Sequence, residues 1–171
     1  MSGMPSGLAY EADSGYDARF DGTASGKGYL TGTRSFCLGG SAGAVVSAFY
    51  YDADGRMVQQ RSTNLMGGFD TDFLSYSFSG KPLKHKHVHT ATGKPAHTEV
   101  YTYTYDSAER LKEACHKLNN QAEVLLANNT YDELGRLSGK QLHGGGSNAG
   151  QFTEKVSVIL RAVFRSLIAR Q

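Results

Sequence analysis

The sequence contains no tryptophan, only three prolines and only two cysteines in 171 residues. The cysteines, Cys37 and Cys115, are far apart and in no Cys-x-x-Cys spacing, which excludes a disulfide framework. One structural disulfide and two ordinary thiols both stay open for them, and the fold has to be held by strand pairing and packing. No charge-free apolar stretch is long enough to span a membrane. The N-terminal MSGMPSGLAYEADSGYDARF lacks a basic start followed by an apolar run, so it is not a secretory signal. A strong charge of one sign is missing too. The net charge is +2; from Gln151 onward Lys155, Arg161, Arg165 and Arg170 face only Glu154, giving +3, so the first 150 residues sum to −1. A region so balanced has no electrostatic bias toward nucleic acid, and nucleic-acid binding is not expected.

Catalytic and phosphate-binding signatures are absent as well. There is no GxSxG, no HExxH, no GxxxxGK[ST] and no GxGxxG opening a helix. Neither an enzymatic activity nor a cofactor is expected.

What the chain does have is 21 glycines, 10 tyrosines and 8 phenylalanines. Glycine at turns and aromatics in pleated strands are the residues of an antiparallel β protein. Internal similarity organises them. YDADGRMV (Tyr51–Val58), YDSAERLK (Tyr105–Lys112) and YDELGRLS (Tyr131–Ser138) align, and FSGKPL (Phe78–Leu83) is a degenerate further copy. In it Gly80-Lys81 stands where the first copy has Gly55-Arg56. The basic residues Arg56, Lys81, Arg110 and Arg136 are spaced 25, 29 and 26 apart.

The copy has a physical reading as a hairpin turn. Asp52, Asp106 and Asp132 can each accept backbone N–H groups two residues on, opening a type I turn. Gly55, Gly80 and Gly135 supply the positive φ that closes it as a bulge. The tyrosine before (Tyr51, Tyr105, Tyr131) and the apolar residue after belong to flanking strands. Glu109 replaces the glycine in the copy that opens at Tyr105, so that turn must be built differently or carry strain. A second set of breakers alternates with these: Gly67-Gly68, Ala91-Thr92-Gly93-Lys94, Asn119-Asn120 and Gly144-Gly145-Gly146. The order strand, turn, strand, opposite turn predicts an all-β antiparallel meander of about eight strands. Its strands show period two: Leu74, Tyr76 and Phe78 alternate with Ser75 and Ser77, and Tyr101, Tyr103 and Tyr105 alternate with Thr102 and Thr104.

Three groups of side chains invite a chemical reading. His85, His87 and His89 fall on one strand face, where imidazoles could ligate zinc, copper or nickel. Neighbouring strand positions splay the rings and no acid follows at ligand spacing, so a solvated polar face is favoured and no metal is expected. The acids Asp52, Asp54, Asp106, Asp132 and Glu133 sit where turns need Asp, which assigns them to capping. Tyr101 and Tyr103 offer flat rings with polar tips, suited to stacking on sugars or to packing on a further layer, and packing is favoured.

With the copies in view, the chain resembles the YD repeats of Rhs-family proteins, which also occur in wall-associated bacterial proteins and teneurins. The segments LTGTR (Leu30–Arg34), GGFDTDFLSYSFSGKPLK (Gly67–Lys84) and YDELGRLSGKQLHGG (Tyr131–Gly145) look like the Rhs proteins of gut-type bacteria. The resemblance covers roughly residues 28–145. It implies a β-sheet that spirals into a secreted or surface-displayed shell, which in several members encloses a variable toxin. It also implies partners: neighbouring repeats, an enclosed polypeptide, or carbohydrate in a cell-contact role. Four copies cannot close a shell, so the chain reads as a fragment or a shortened product, and on its own as marginally stable or self-associating.

The two ends do not follow the repeat. Residues 1–27 are rich in Gly and Ser and are expected to be ill-ordered. Residues 146–150 form a Gly-rich linker. In residues 151–171 Phe152, Val156, Ile159, Leu160, Val163 and Leu167 recur at helical spacing, with Lys155, Arg161 and Arg165 mostly opposite. That pattern predicts a cationic amphipathic helix. Its roles could be to cap the sheet, to lie on an anionic membrane surface, or none.

Overall fold

The computed structural model describes residues 5–22, 28–36, 43–142 and 152–154. Among the described residues there are ten β-strands and no helix. That is two more than the breaker spacing predicts, and the ends contribute short ones: β1 (Gly32–Ser35) and β10 (Phe152–Glu154). The chain divides into two units, Met1–Tyr101 and Thr102–Gln171. The first holds β1, β2 (Val45–Tyr51), β3 (Met57–Thr63), β4 (Phe69–Tyr76) and β5 (Pro82–His89). β6 (His97–Tyr105) runs across the division. The second unit continues with β7 (Leu111–Leu118), β8 (Val124–Tyr131), β9 (Leu137–Leu142) and β10. Consecutive strands pair antiparallel, from β1 to β5 in the first unit and from β7 to β10 in the second. The all-β antiparallel meander expected from the breakers is what the described residues form.

The register shifts between Tyr50 and Tyr51, between Ser75 and Tyr76, and between Thr130 and Tyr131. A fourth shift, between Ala114 and Cys115, lies inside β7, but each of these three falls at a tyrosine that opens a turn. A type I turn closed by a positive-φ residue needs such a one-residue offset to match the twist of its strands.

Residues 5–22 correct the expectation of an ill-ordered start. They run as a strap over one face of the first unit, where Ala48, Tyr50, Gln59, Arg61, Thr71, Phe73 and Lys86 share a side by register. Leu8 is fully buried, beside a core that includes Ala48, Val58 and Phe73. The Tyr16 ring lies 5.9 Å from that of Phe73. Gly7 has φ +104°, and a Cβ there would come within 2.5 Å of the Phe69 ring, so this approach requires glycine. Composition misled here because the strap is held largely through its backbone, which composition does not report.

The strap also decides which face of β4 is inside. Thr71, Phe73 and Ser75 are buried, while Leu74 and Tyr76 are only half-buried. Phe78, read as part of the aromatic strand face, lies on a turn tip and is fully exposed. At the other end, the predicted helix does not begin at Phe152. Phe152–Glu154 is β10, with Phe152 opposite Leu142 and Glu154 opposite Lys140, so strand pairing satisfies its backbone there. Residues 155–171 lie outside the described residues, as does the linker 146–150.

Candidate functional site

The aspartates of the motif copies are all used in the same way. Asp52 Oδ1 accepts from the backbone N–H of Asp54 at 2.9 Å and of Arg56 at 2.8 Å, and Oδ2 takes Arg56 Nε at 2.6 Å. Asp106 repeats this with Ala108, Arg110 and Arg110 Nε at 3.0, 2.9 and 2.7 Å. Asp132 does so with Leu134, Arg136 and Arg136 Nε at 3.0, 2.9 and 2.8 Å. The N–H of Arg110 and of Arg136 respectively, followed by the other bonds to each turn, holds the Asp106 and Asp132 carboxyls below the ordinary carboxylate value despite some desolvation. Gly55 and Gly135 take φ of 78° and 77°. Glu109 takes the same role at φ 60°, so the copy without glycine keeps the turn and carries the strain.

The degenerate copy is more complete than it looks in sequence. Ser77 stands in the aspartate's place: its Oγ accepts from Lys81 N at 3.0 Å, its N–H donates to Lys81 O at 2.8 Å, and Gly80 has φ 85°. The copy therefore begins at Tyr76, not Phe78. The signal was available, because Tyr76 follows Tyr51 by the same 25 residues that separate Lys81 from Arg56.

Successive turns are locked together. The Arg56 guanidinium lies 5.2 Å from the Tyr76 ring centroid and donates to Ser77 O at 3.2 Å. The Tyr76 hydroxyl returns a bond to Met57 O at 2.7 Å, and burial pushes its pKa up. The second unit repeats the lock: Arg110 lies 4.4 Å from the Tyr131 centroid, and Tyr131 donates to Leu111 O at 2.7 Å. A further instance has no arginine. Tyr29 stacks on Tyr51 at 5.0 Å, Tyr51 donates to Leu30 O at 2.7 Å, and Gly28 has φ 84°. Gly28-Tyr29-Leu30 thus holds the place of Gly55-Arg56-Met57 one copy earlier, 27 residues upstream. Sequence alone hides it because a tyrosine replaces the cation.

The histidine face gains partners that lie upstream in sequence. Register sets Asp72 across from His87 and Asp70 across from His89. His85 Nε2 and His87 Nδ1 both reach Asp72 Oδ1, at 2.8 and 2.9 Å, and His89 Nδ1 reaches Asp70 Oδ1 at 2.5 Å. Burial alone would raise the Asp72 carboxyl, but the bonds from His85 and His87 outweigh it and hold it low. Each ring is turned toward a carboxylate on β4 rather than toward the next ring. Among the described residues no three His, Cys, Asp or Glu side chains converge to hold a metal. Tyr101 stacks on His85 at 6.0 Å and donates to Glu99 at 3.0 Å, while Tyr103 is half-buried on β6.

Between the strap and the first turn lies an open cleft of about 430 Å³, lined by Asp17, Arg19, Phe20, Asp52, Arg56 and Tyr76 among others. Its charges are committed: Asp17 accepts from Tyr76 N at 2.9 Å, and Arg19 pairs with Asp21 at 2.7 Å. No protein-family model and no curated protein matches the chain at a significant level. The side chains that recur here serve turns and their mutual locking. Cys115 is half-buried, with its thiol pKa raised by burial and by Glu123 and Glu113; Cys37 lies outside the described residues.

Proposed function

We propose that the chain is a non-enzymatic structural segment of a larger YD-repeat β-shell of the Rhs type, secreted or displayed at the cell surface. The observation that carries this reading is the lock between consecutive turns, repeated at Arg56–Tyr76 and Arg110–Tyr131. It makes each hairpin the binding site of the next, the property a sheet needs to grow by adding identical units. The motif aspartates are spent on capping, which leaves them without a role in acid–base chemistry. The partners that follow are neighbouring repeats and a polypeptide held against the sheet. Fractionation of the source cells with an antibody to the chain tests this. The expected result is a surface or secreted band larger than the 18.5 kDa of this chain. A band confined to the soluble cell interior at that mass would overturn it.

A further inference from the structure

The strap face of the first unit buries polar groups, Gln59 and Thr71, among apolar core residues that include Ala48 and Phe73. Gln59 is 1% exposed, and its amide pairs with one strap residue in the manner of a neighbouring strand. Gln59 Oε1 accepts from Glu11 N at 3.0 Å, and Gln59 Nε2 donates to Glu11 O at 2.7 Å. Arg61 donates to Ala9 O at 2.8 Å, and its Nη1 lies 2.9 Å from the Glu11 carboxylate. The Tyr50 hydroxyl donates to Leu8 O, and Lys86 pairs with Asp13. Three side chains thus read the backbone of three strap residues, Leu8, Ala9 and Glu11. The strap also brings to this face a buried apolar residue, Leu8, and acids three and five residues later, Glu11 for Arg61 and Asp13 for Lys86.

The fit is incomplete at one place. Arg61 Nε is buried and has no hydrogen-bond partner among the described residues. A buried charged donor without an acceptor is costly, and a carboxylate set edge-on to the guanidinium would satisfy Nε and Nη together. The strap does not deliver one: Glu11 reaches Nη1 only, from a side chain that is 61% exposed.

We infer that this face is a groove for an extended polypeptide bearing a carboxylate, and that residues 8–13 fill it as an internal placeholder. Recognition runs through the backbone by Tyr50, Gln59 and Arg61, with Arg61 selecting the acid. The inference rests on the shell reading only for the source of the ligand, a polypeptide segment enclosed by or adjoining the sheet.

The test uses the full chain with one protease site placed within residues 23–27, cut once after folding. The probe is a dye-labelled peptide of residues 5–22, followed by anisotropy. The expected result is saturable one-to-one exchange with the cut strap. Gln59→Ala and Arg61→Lys should each weaken it by about tenfold, as loss of buried or charge-assisted bonds does. The probe variant Ser6→Ala/Ser14→Ala should bind like the parent, while Glu11→Gln should bind several-fold more weakly. The Glu11→Gln arm needs no change in the folded chain, so it decides even where Gln59→Ala does not fold. A cut strap that never exchanges, or a Glu11→Gln probe that binds unchanged, overturns the groove. Neither outcome bears on the surface fractionation that tests the shell.

Discussion

Arg110 and Tyr131 hold one another across adjacent turns, the guanidinium over the ring and the hydroxyl on the carbonyl of the very next residue, Leu111. A half-exposed cation–π contact contributes about 0.5–1 kcal/mol and a hydrogen bond to backbone about 1 kcal/mol. Tyr131→Phe should therefore cost about 1 kcal/mol, and Tyr131→Leu more. In a double-mutant cycle, Arg110→Ala and Tyr131→Leu should couple by about 0.5–1 kcal/mol in urea unfolding. Strict additivity would mean that the guanidinium–ring contact contributes nothing.

Glu109 offers a gain rather than a loss. Its φ of 60° places a side chain in the left-handed region that the other copies give to glycine. Glu109→Gly should stabilise the second unit by about 1 kcal/mol. Gly55→Ala should do the opposite, by about 1–3 kcal/mol, because φ is 78° and the new Cβ would meet the Tyr29 hydroxyl at 2.3 Å. Thermal melts of the two variants should move in opposite directions.

Acid should loosen the turns and the pairing of β4 with the histidines of β5. Asp72, Asp106 and Asp132 have folded-state pKa values below their unfolded ones. Their stabilising contribution is then complete above the unfolded value of about 3.9 and is lost as pH falls through the lower folded values. Urea midpoints should begin to fall near pH 5 and drop more steeply below about pH 4. The double variant Asp106→Asn/Asp132→Asn should flatten part of that drop while keeping the turns. Asn64 shows that an amide suffices for capping, since its Oδ1 accepts from Met66 N at 3.1 Å and Gly68 N at 2.9 Å.

Gln59 anchors the strap from inside. Gln59→Ala leaves the N–H and C=O of Glu11 without their partners and should cost about 2–3 kcal/mol. Hydrogen exchange should show the Glu11 amide protected in the parent and fast in the variant. Equal protection in both would assign the strap's hold to its apolar contacts instead.

The motif copies were legible because a hairpin turn is a local object. Six residues contain its cap, its positive-φ position and its cation, so Asp52, Gly55 and Arg56 could be given roles from spacing alone. The same locality hid the variants: Ser77 caps without a carboxylate, and Tyr29 stacks in place of an arginine, so both copies lack the letters that mark the others. The histidines show the next limit. Their run on β5 was visible, but Asp70 and Asp72 come from β4, and only register brings them across.

By itself, the sequence determined the middle strands, the turns between them and their antiparallel order, because each follows from period two and from residues a few positions apart. The tertiary structure decided which face of the sheet is buried. That depended on residues 5–22, whose anchors at Gln59, Arg61 and Leu74 lie about fifty residues away and act mostly on backbone atoms. Backbone groups are the same at every position, so a contact made through them leaves almost no trace in composition or pattern.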